Sequence, residues 1–246
     1  MVEPLSLFSL LTVIFVVAVL YASVGHGGAS GYLALFALWG MPAAQMKPAV
    51  LYMNVFVTLL VFVRLYRQGH FDLRLFLPFM LPSLPLAWLG GGWLLEPWLY
   101  RALVGGALLV AALLTWWSHP GRTDIRQPVW WVAVPVGAVL GFFSGLTGVG
   151  GGIYLSPLLL LMRWTSMRGS AALASAFILL NSIAALAGWY GTGGVDLPAD
   201  LWSYILAAVT GGWLGSQLTN KWLSSASLRK ILGTVLLLAS LRIWLV

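Results

Sequence analysis

No cysteine occurs anywhere in the chain. Disulfides, thiolate metal sites and thiol nucleophiles are therefore excluded. Charge is nearly as scarce. Only 8% of residues are charged, against roughly 25% in soluble domains. The six acids are Glu3, Asp72, Glu96, Asp124, Asp196 and Asp200, and each falls at a loop or at the end of an apolar run. No carboxylate pair is thus available inside the apolar segments for acid–base chemistry. The three histidines, His26, His70 and His119, are too dispersed to make a metal site. No nucleotide-binding motif is present, so direct use of ATP is not expected, and no cofactor is implied. An intramembrane enzyme fares badly on these grounds.

What the chain does have is apolar surface. Of its 246 residues 61% are hydrophobic, and 14 are tryptophan. No soluble core hides that much, so lipid must cover it. The length suits one compact bundle of membrane helices. Net charge is +7. In a soluble protein that would raise nucleic acid as a partner. Here basic residues in loops fix membrane orientation, and a vestibule that attracts anions is the lesser reading. The first apolar run lacks the basic flank of a signal peptide and continues long enough to span, so it is read as retained.

Runs free of charge, save for Arg242 in the last, predict ten segments: Leu5–Val24, the short Gly31–Trp39, Pro48–Val63, Leu75–Leu95, Ala102–Trp117, Pro128–Gly145, the short Ile153–Met162, Gly169–Tyr190, Leu201–Thr219 and Ile231–Val246. If all ten alternate, ten basic residues fall on one side and three (Lys47, Arg101, Arg242) on the other. Fusing each short segment with its predecessor evens the split, so the positive-inside rule selects the first arrangement. It puts both termini outside, and it fixes parity without fixing whether the short segments cross or re-enter.

The two halves share landmarks. Gly25, Gly27 and Gly28 match Gly148, Gly150 and Gly151 at a spacing of 123. Asp72-Leu73 matches Asp196-Leu197 at 124, Trp88-Leu89-Gly90 matches Trp213-Leu214-Gly215 at 125, and Trp98-Leu99 matches Trp222-Leu223 at 124. Arg101 and Gly105 match Arg229 and Gly233 at 128. Each half holds an odd number of crossings, so the halves insert in opposite senses. The expectation is an all-α polytopic membrane protein of two inverted repeats, residues 1–120 and 121–246. Each repeat has a glycine-broken helical hairpin followed by three transmembrane helices, for about eight full spans or up to ten segments. The binding site of such a protein is expected near the midplane, between the halves.

The paired glycine breaks carry the functional reading. They run Ser23-Val24-Gly25-His26-Gly27-Gly28-Ala29-Ser30-Gly31 and Ser144-Gly145-Leu146-Thr147-Gly148-Val149-Gly150-Gly151-Gly152. Non-helical backbone at membrane depth is tolerated only where it is buried in protein or lines a cavity. The first amides of a half-helix lack intrahelical partners and carry a partial positive charge. Gly27, Gly28 and Ala29, and Gly150, Gly151 and Gly152, are therefore read as amide cradles for an anion. Ser23, Ser30, Ser144 and Thr147 are candidate hydroxyl donors. Scattered glycines such as Gly105, Gly106 and Gly211 are read as helix-packing positions.

His26 lies inside the first break. It is read either as the carrier of a coupling proton and anion donor, or as a neutral histidine that fixes the loop. Asn54 and Asn181 interrupt apolar segments and either contact substrate or bridge helices. Gln45, Lys47, Arg163 and Arg168 flank the short segments. They are read first as membrane anchors and second as attractors of anions.

Thr147-Gly148-Val149-Gly150-Gly151-Gly152, followed by Ser156-Pro157-Leu158, resembles the signature of the TauE/SafE sulfite exporter family. Gly25-His26-Gly27-Gly28-Ala29-Ser30-Gly31-Tyr32-Leu33 resembles a variant of it, with Ala29 for a glycine and no proline matching Pro157. The resemblance covers the whole chain. It implies a secondary transporter, an exporter of sulfite or an organosulfonate, in the bacterial inner membrane. The implied partners are a small anion, a coupling proton or sodium, and lipid. Nucleic acid is not among them, and a homodimer is left open. A passive anion channel, or a carrier of an unrelated carboxylate, is the alternative.

Overall fold

Helices begin and end here for local reasons. Asp72 caps one start, its carboxylate accepting from the amides of Arg74 (2.9 Å) and Leu75 (3.2 Å). Ser166 caps another by accepting from Gly169 N–H at 3.2 Å. The computed structural model describes residues 4–23, 25–93, 95–117, 125–126, 128–194 and 196–218, with Gly233, Thr234, Leu237, Ser240 and Leu241. Among them nine helices follow one another and no strand occurs: α1 Pro4–Ser23, α2 Ala29–Leu38, α3 Ala43–Arg67, α4 Leu73–Gly92, α5 Pro97–Trp117, α6 Trp130–Thr147, α7 Gly152–Leu161, α8 Met167–Gly191 and α9 Leu201–Leu218. The described residues of the tenth segment are helical, and Ser240 Oγ donates to Gly105 O at 2.8 Å, which sets that segment against α5. His119, Asp124 and Glu3, the basic residues Arg122, Lys221, Arg229, Lys230 and Arg242, and the matched pair Trp222-Leu223 lie outside the described residues.

The charge-free runs locate every described helix but shorten α5, which starts at Pro97 ahead of Arg101, and α3. That helix starts five residues before Pro48 and runs past Arg64 to Arg67. The two arginines sit in its last turn, where positive charge favours the helix C-terminus. Of the described helices, α3, α4, α6 and α8 are long and apolar enough to cross a membrane. Helices α2 and α7 have 10 residues each. At 1.5 Å per residue that is about 15 Å, half of a bilayer's apolar core. Neither crosses alone.

Small residues set the helix contacts. Gly137, Gly141 and Gly145 recur every fourth residue along α6 and rest on the backbone of Phe79, Ser83 and Ala87 of α4. The two helices therefore run parallel in this register. Gly211 and Gly215 of α9 rest in the same way on Phe15 O and Val19 O of α1, again in parallel. Gly188 of α8 meets Trp88 O of α4. Without a hydrophobic drive between helices in lipid, such close backbone approach is what holds a bundle together. Gly211 is thus a packing position, as expected, whereas Gly106 faces open space. The longest helices, α3 and α8, pack on each other at the centre, and large exposed residues such as Trp130, Trp131, Trp202 and Trp213 remain on the outside.

Candidate functional site at the paired helix breaks

Both breaks are built by one device. Helix α1 closes with Gly25 N–H donating to Ala22 O and His26 N–H to Tyr21 O (3.1 and 2.9 Å). Gly28 then takes a left-handed conformation (φ 96°) and starts α2. Helix α6 closes on Gly148, whose N–H donates to Ser144 O at 2.9 Å, and Gly151 (φ 71°) starts α7. A side chain is strained at such angles, so glycine is required there. Each start leaves amides without intrahelical acceptors and a partial positive charge. No Asp or Glu among the described residues lies near enough in sequence to offset either one: Asp72, Glu96, Asp196 and Asp200 sit at helix boundaries or in loops.

The two breaks, 123 residues apart, meet on α3. Asn54, fully buried near the middle of that helix, stands between them. A Cβ added to Gly27 would lie 2.8 Å from Asn54 Oδ1, and one added to Gly150 would lie 3.2 Å from its Nδ2. Asn54 Nδ2 reaches Gly148 O at 3.5 Å, the limit of a hydrogen bond, and Oδ1 is buried without a partner. Thr58, one turn on, touches the Gly27 position at 2.6 Å through its methyl. From the opposite side Ile178, at the middle of α8, closes over Gly150 and Gly152. Native interiors rarely bury an amide so poorly satisfied, and one that does calls for an explanation.

The other candidates divide. Ser144 Oγ is buried without a partner beside Gly151, at the start of α7. Tyr32 Oη, also unpartnered, lies beside the start of α2, 2.7 Å from where a Cβ on Gly28 would be. Both face the breaks with unused donors. His26 is half-buried in the first turn. Ser30 Oγ is engaged with Tyr21 Oη at 2.9 Å. Ser23 Oγ donates to Leu20 O (2.7 Å) and Thr147 Oγ1 to Phe143 O (2.6 Å), so both bond back to their own helices. Gly152 N–H donates to Gly150 O at 2.9 Å, which takes one amide out of the expected cradle. Asn181 is engaged at both ends: it accepts from Ser83 Oγ (2.6 Å) and donates to Phe177 O (2.9 Å). Its amide joins α8 to α4.

One expectation is corrected. Lys47 is no membrane anchor at the surface. It lies inside α3 and is 7% exposed. Its Nζ donates to Gly90 O (3.1 Å) and Gly91 O (2.8 Å), the carbonyls at the end of α4, and its stem lies on Gly148. Ending a run at a charge puts Lys47, like every other lysine and arginine but Arg242, outside the segments. A neighbouring helix's terminal carbonyls, with their partial negative charge, are what allow this one inside. Tyr32 and Thr58 were also missed. The sequence signal for Thr58 is position, four residues from Asn54; Tyr32 stands four from Gly28 at the end of the first glycine motif, so each shares a helix face with its neighbour.

Long apolar helices packed around two helix breaks that meet at a buried amide, with no carboxylate in either break, define an integral membrane protein. The chain belongs to the sulfite exporter TauE/SafE family, which its residues 10–243 match. It is 33% identical over 239 residues to the "Probable membrane transporter protein y4hK" of Sinorhizobium fredii, an alignment covering 93% of this chain and 94% of that protein. It is 29% identical over 110 residues to the "Probable membrane transporter protein YunE" of Bacillus subtilis, covering 44% of this chain and 38% of that one. No solved structure matches it. As a member of this family the chain is a transporter and not an enzyme.

Proposed function

We propose that the chain is a secondary transporter that exports a small sulfur-containing anion, sulfite or an organosulfonate, by alternating access. The anion is held where the starts of α2 and α7 face each other across Asn54. The observation that carries this reading is the single buried amide shared by both breaks, with an acceptor and donors left unused. Two half-helix N-termini supply positive potential without a fixed charge at the centre, and Asn54, Ser144 and Tyr32 add donors around an oxyanion. Glycine lets the backbone approach closely. Gly25, Gly27, Gly28, Gly148, Gly150 and Gly151 form the walls in this reading.

The halves 1–120 and 121–246 are taken as inverted repeats that rock about this centre. Equivalent contacts support that. Gly90 of α4 abuts Phe142 O of α6, and Gly215 of α9 abuts Val19 O of α1. Phe142 and Val19 are separated by the same 123 residues as the glycine breaks. Gly25 rests on Ala171 of α8, and Gly148 rests on Lys47 of α3, which are 124 apart. The lengths of α2 and α7 fit two hairpins, α1–α2 and α6–α7, that re-enter from opposite faces, leaving three full spans in each half with both termini on the periplasmic side of a bacterial inner membrane. His26, in the first break, carries the coupling proton.

The test is uptake of labelled sulfite into proteoliposomes of the purified protein, with a pH or sodium gradient imposed. Sulfoacetate, taurine, sulfate and lactate serve as competitors. Saturable uptake that the pH gradient accelerates and a sulfonate blocks is expected. Non-saturating flux would replace the carrier with a channel. Competition by lactate alone would discard the sulfur anion and keep the fold.

A further inference from the structure

Lys47 is the one charged side chain buried among the described residues. Burying an ammonium is expensive, and in a membrane helix such a group is a functional hypothesis by default. No carboxylate pairs with it among the described residues. Its hydrogen bonds go to Gly90 O and Gly91 O alone, while an ammonium has three N–H donors. One donor and the full charge are thus left unneutralised by any carboxylate among the described residues. The position is also specific. A Cβ on Gly148 would lie 3.4 Å from Lys47 Cγ, so the flexible stem runs along the second break. Lys47 and Asn54 are seven residues, two helical turns, apart and share the face of α3 that meets both breaks. At the equivalent place against the first break, Gly25, the chain carries Ala171, which has no charge.

We propose that Lys47 is a substrate-binding residue, the mobile counter-charge for the anion at the Gly148–Gly151 turn. Its ammonium exchanges the carbonyls at the end of α4 for the anion, so anion binding also releases α4 from α3. This rests on the anion-transporter reading above. It assigns the strong electrostatic contact to the second break alone, and makes the site select a charged ligand over a neutral one.

The bland competitor is a lysine that merely caps α4, and the substitutions separate the two. Lys47→Gln keeps two N–H donors for the α4 carbonyls and removes the charge. Lys47→Arg keeps the charge, and Lys47→Met removes both. Each is purified as the full chain, and labelled sulfite uptake is measured against concentration beside the thermal midpoint in detergent. We expect Lys47→Gln to melt close to the wild type and to raise KM for sulfite about 30-fold or more, with Lys47→Arg saturating near the wild-type concentration. Sulfite should raise the thermal midpoint of the wild type and leave that of Lys47→Gln unmoved. A Lys47→Gln protein with wild-type KM, or a Lys47→Met protein with wild-type KM and only a lowered midpoint, overturns the proposal and leaves the transporter reading intact. A wild type that neither takes up nor is stabilised by sulfite, sulfoacetate, taurine or lactate overturns both.

Discussion

Replacing Asn54 by leucine separates a binding amide from a packing amide. The side chains are close in volume, so the helix contacts of α3 survive. In the folded protein Asn54 holds one hydrogen bond at 3.5 Å, and its Oδ1 has no partner. A buried polar atom left unsatisfied costs about 1–3 kcal/mol, while a bond at that length returns little. Removing the whole amide in favour of an apolar group is therefore neutral or stabilising. At about 2–4 °C per kcal/mol the thermal midpoint of Asn54→Leu should stay level or rise by a few degrees. Binding should move the other way. A hydrogen bond to a charged group contributes about 1.5–3 kcal/mol, so KM for sulfite should rise about 10- to 150-fold. Concentration-dependent uptake in proteoliposomes, read beside the melting curve of the same preparation, measures both. A variant that melts many degrees lower and transports with unchanged KM would show that the amide is there to hold α3 and does not bind the anion.

Asn181→Leu should give the opposite result. It strands the Ser83 hydroxyl, lowering stability by about 1–3 kcal/mol in thermal melts with KM unchanged. Gly145→Val should not yield a folded protein, because the added Cβ would enter the backbone of Ala87 and the α4–α6 contact would have to open; monodispersity in size-exclusion chromatography reports it. His26→Ala should remove the acceleration of uptake by a pH gradient while sulfite exchange at equal pH persists, and an undiminished gradient effect would take the coupling role from His26.

Much of the fold was legible because membrane helices advertise themselves. Nine apolar runs coincide with helices within a few residues, and the paired glycines mark both breaks. Two things were not legible. Charge marks a boundary in the sequence, and Lys47 escapes that rule through carbonyls 43 and 44 residues away, a pairing no local pattern encodes. Asn54 and Asn181 look alike in sequence, each a lone amide in an apolar helix. Only tertiary partners distinguish them, since Ser83 satisfies one and two glycine turns crowd the other without satisfying it. The hydroxyls show the same limit. Ser144 and Thr147 are three residues apart, and the helix claims Thr147 through Phe143 O while leaving Ser144 free. Side-chain-to-backbone bonding of this kind competes with ligand binding at every Ser and Thr near a helix end.

Counterflow reports whether one anion site between the two helix breaks opens alternately to the two sides. Proteoliposomes are loaded with excess unlabelled sulfite, diluted into a trace of labelled sulfite, and the label inside is followed with time. A single anion site exposed alternately to the two sides predicts a transient overshoot, with internal label rising above its equilibrium level and then decaying, and Asn54→Leu should flatten it. A monotonic approach to equilibrium in the wild type, at any loading concentration, would contradict an alternating-access site between the two helix breaks.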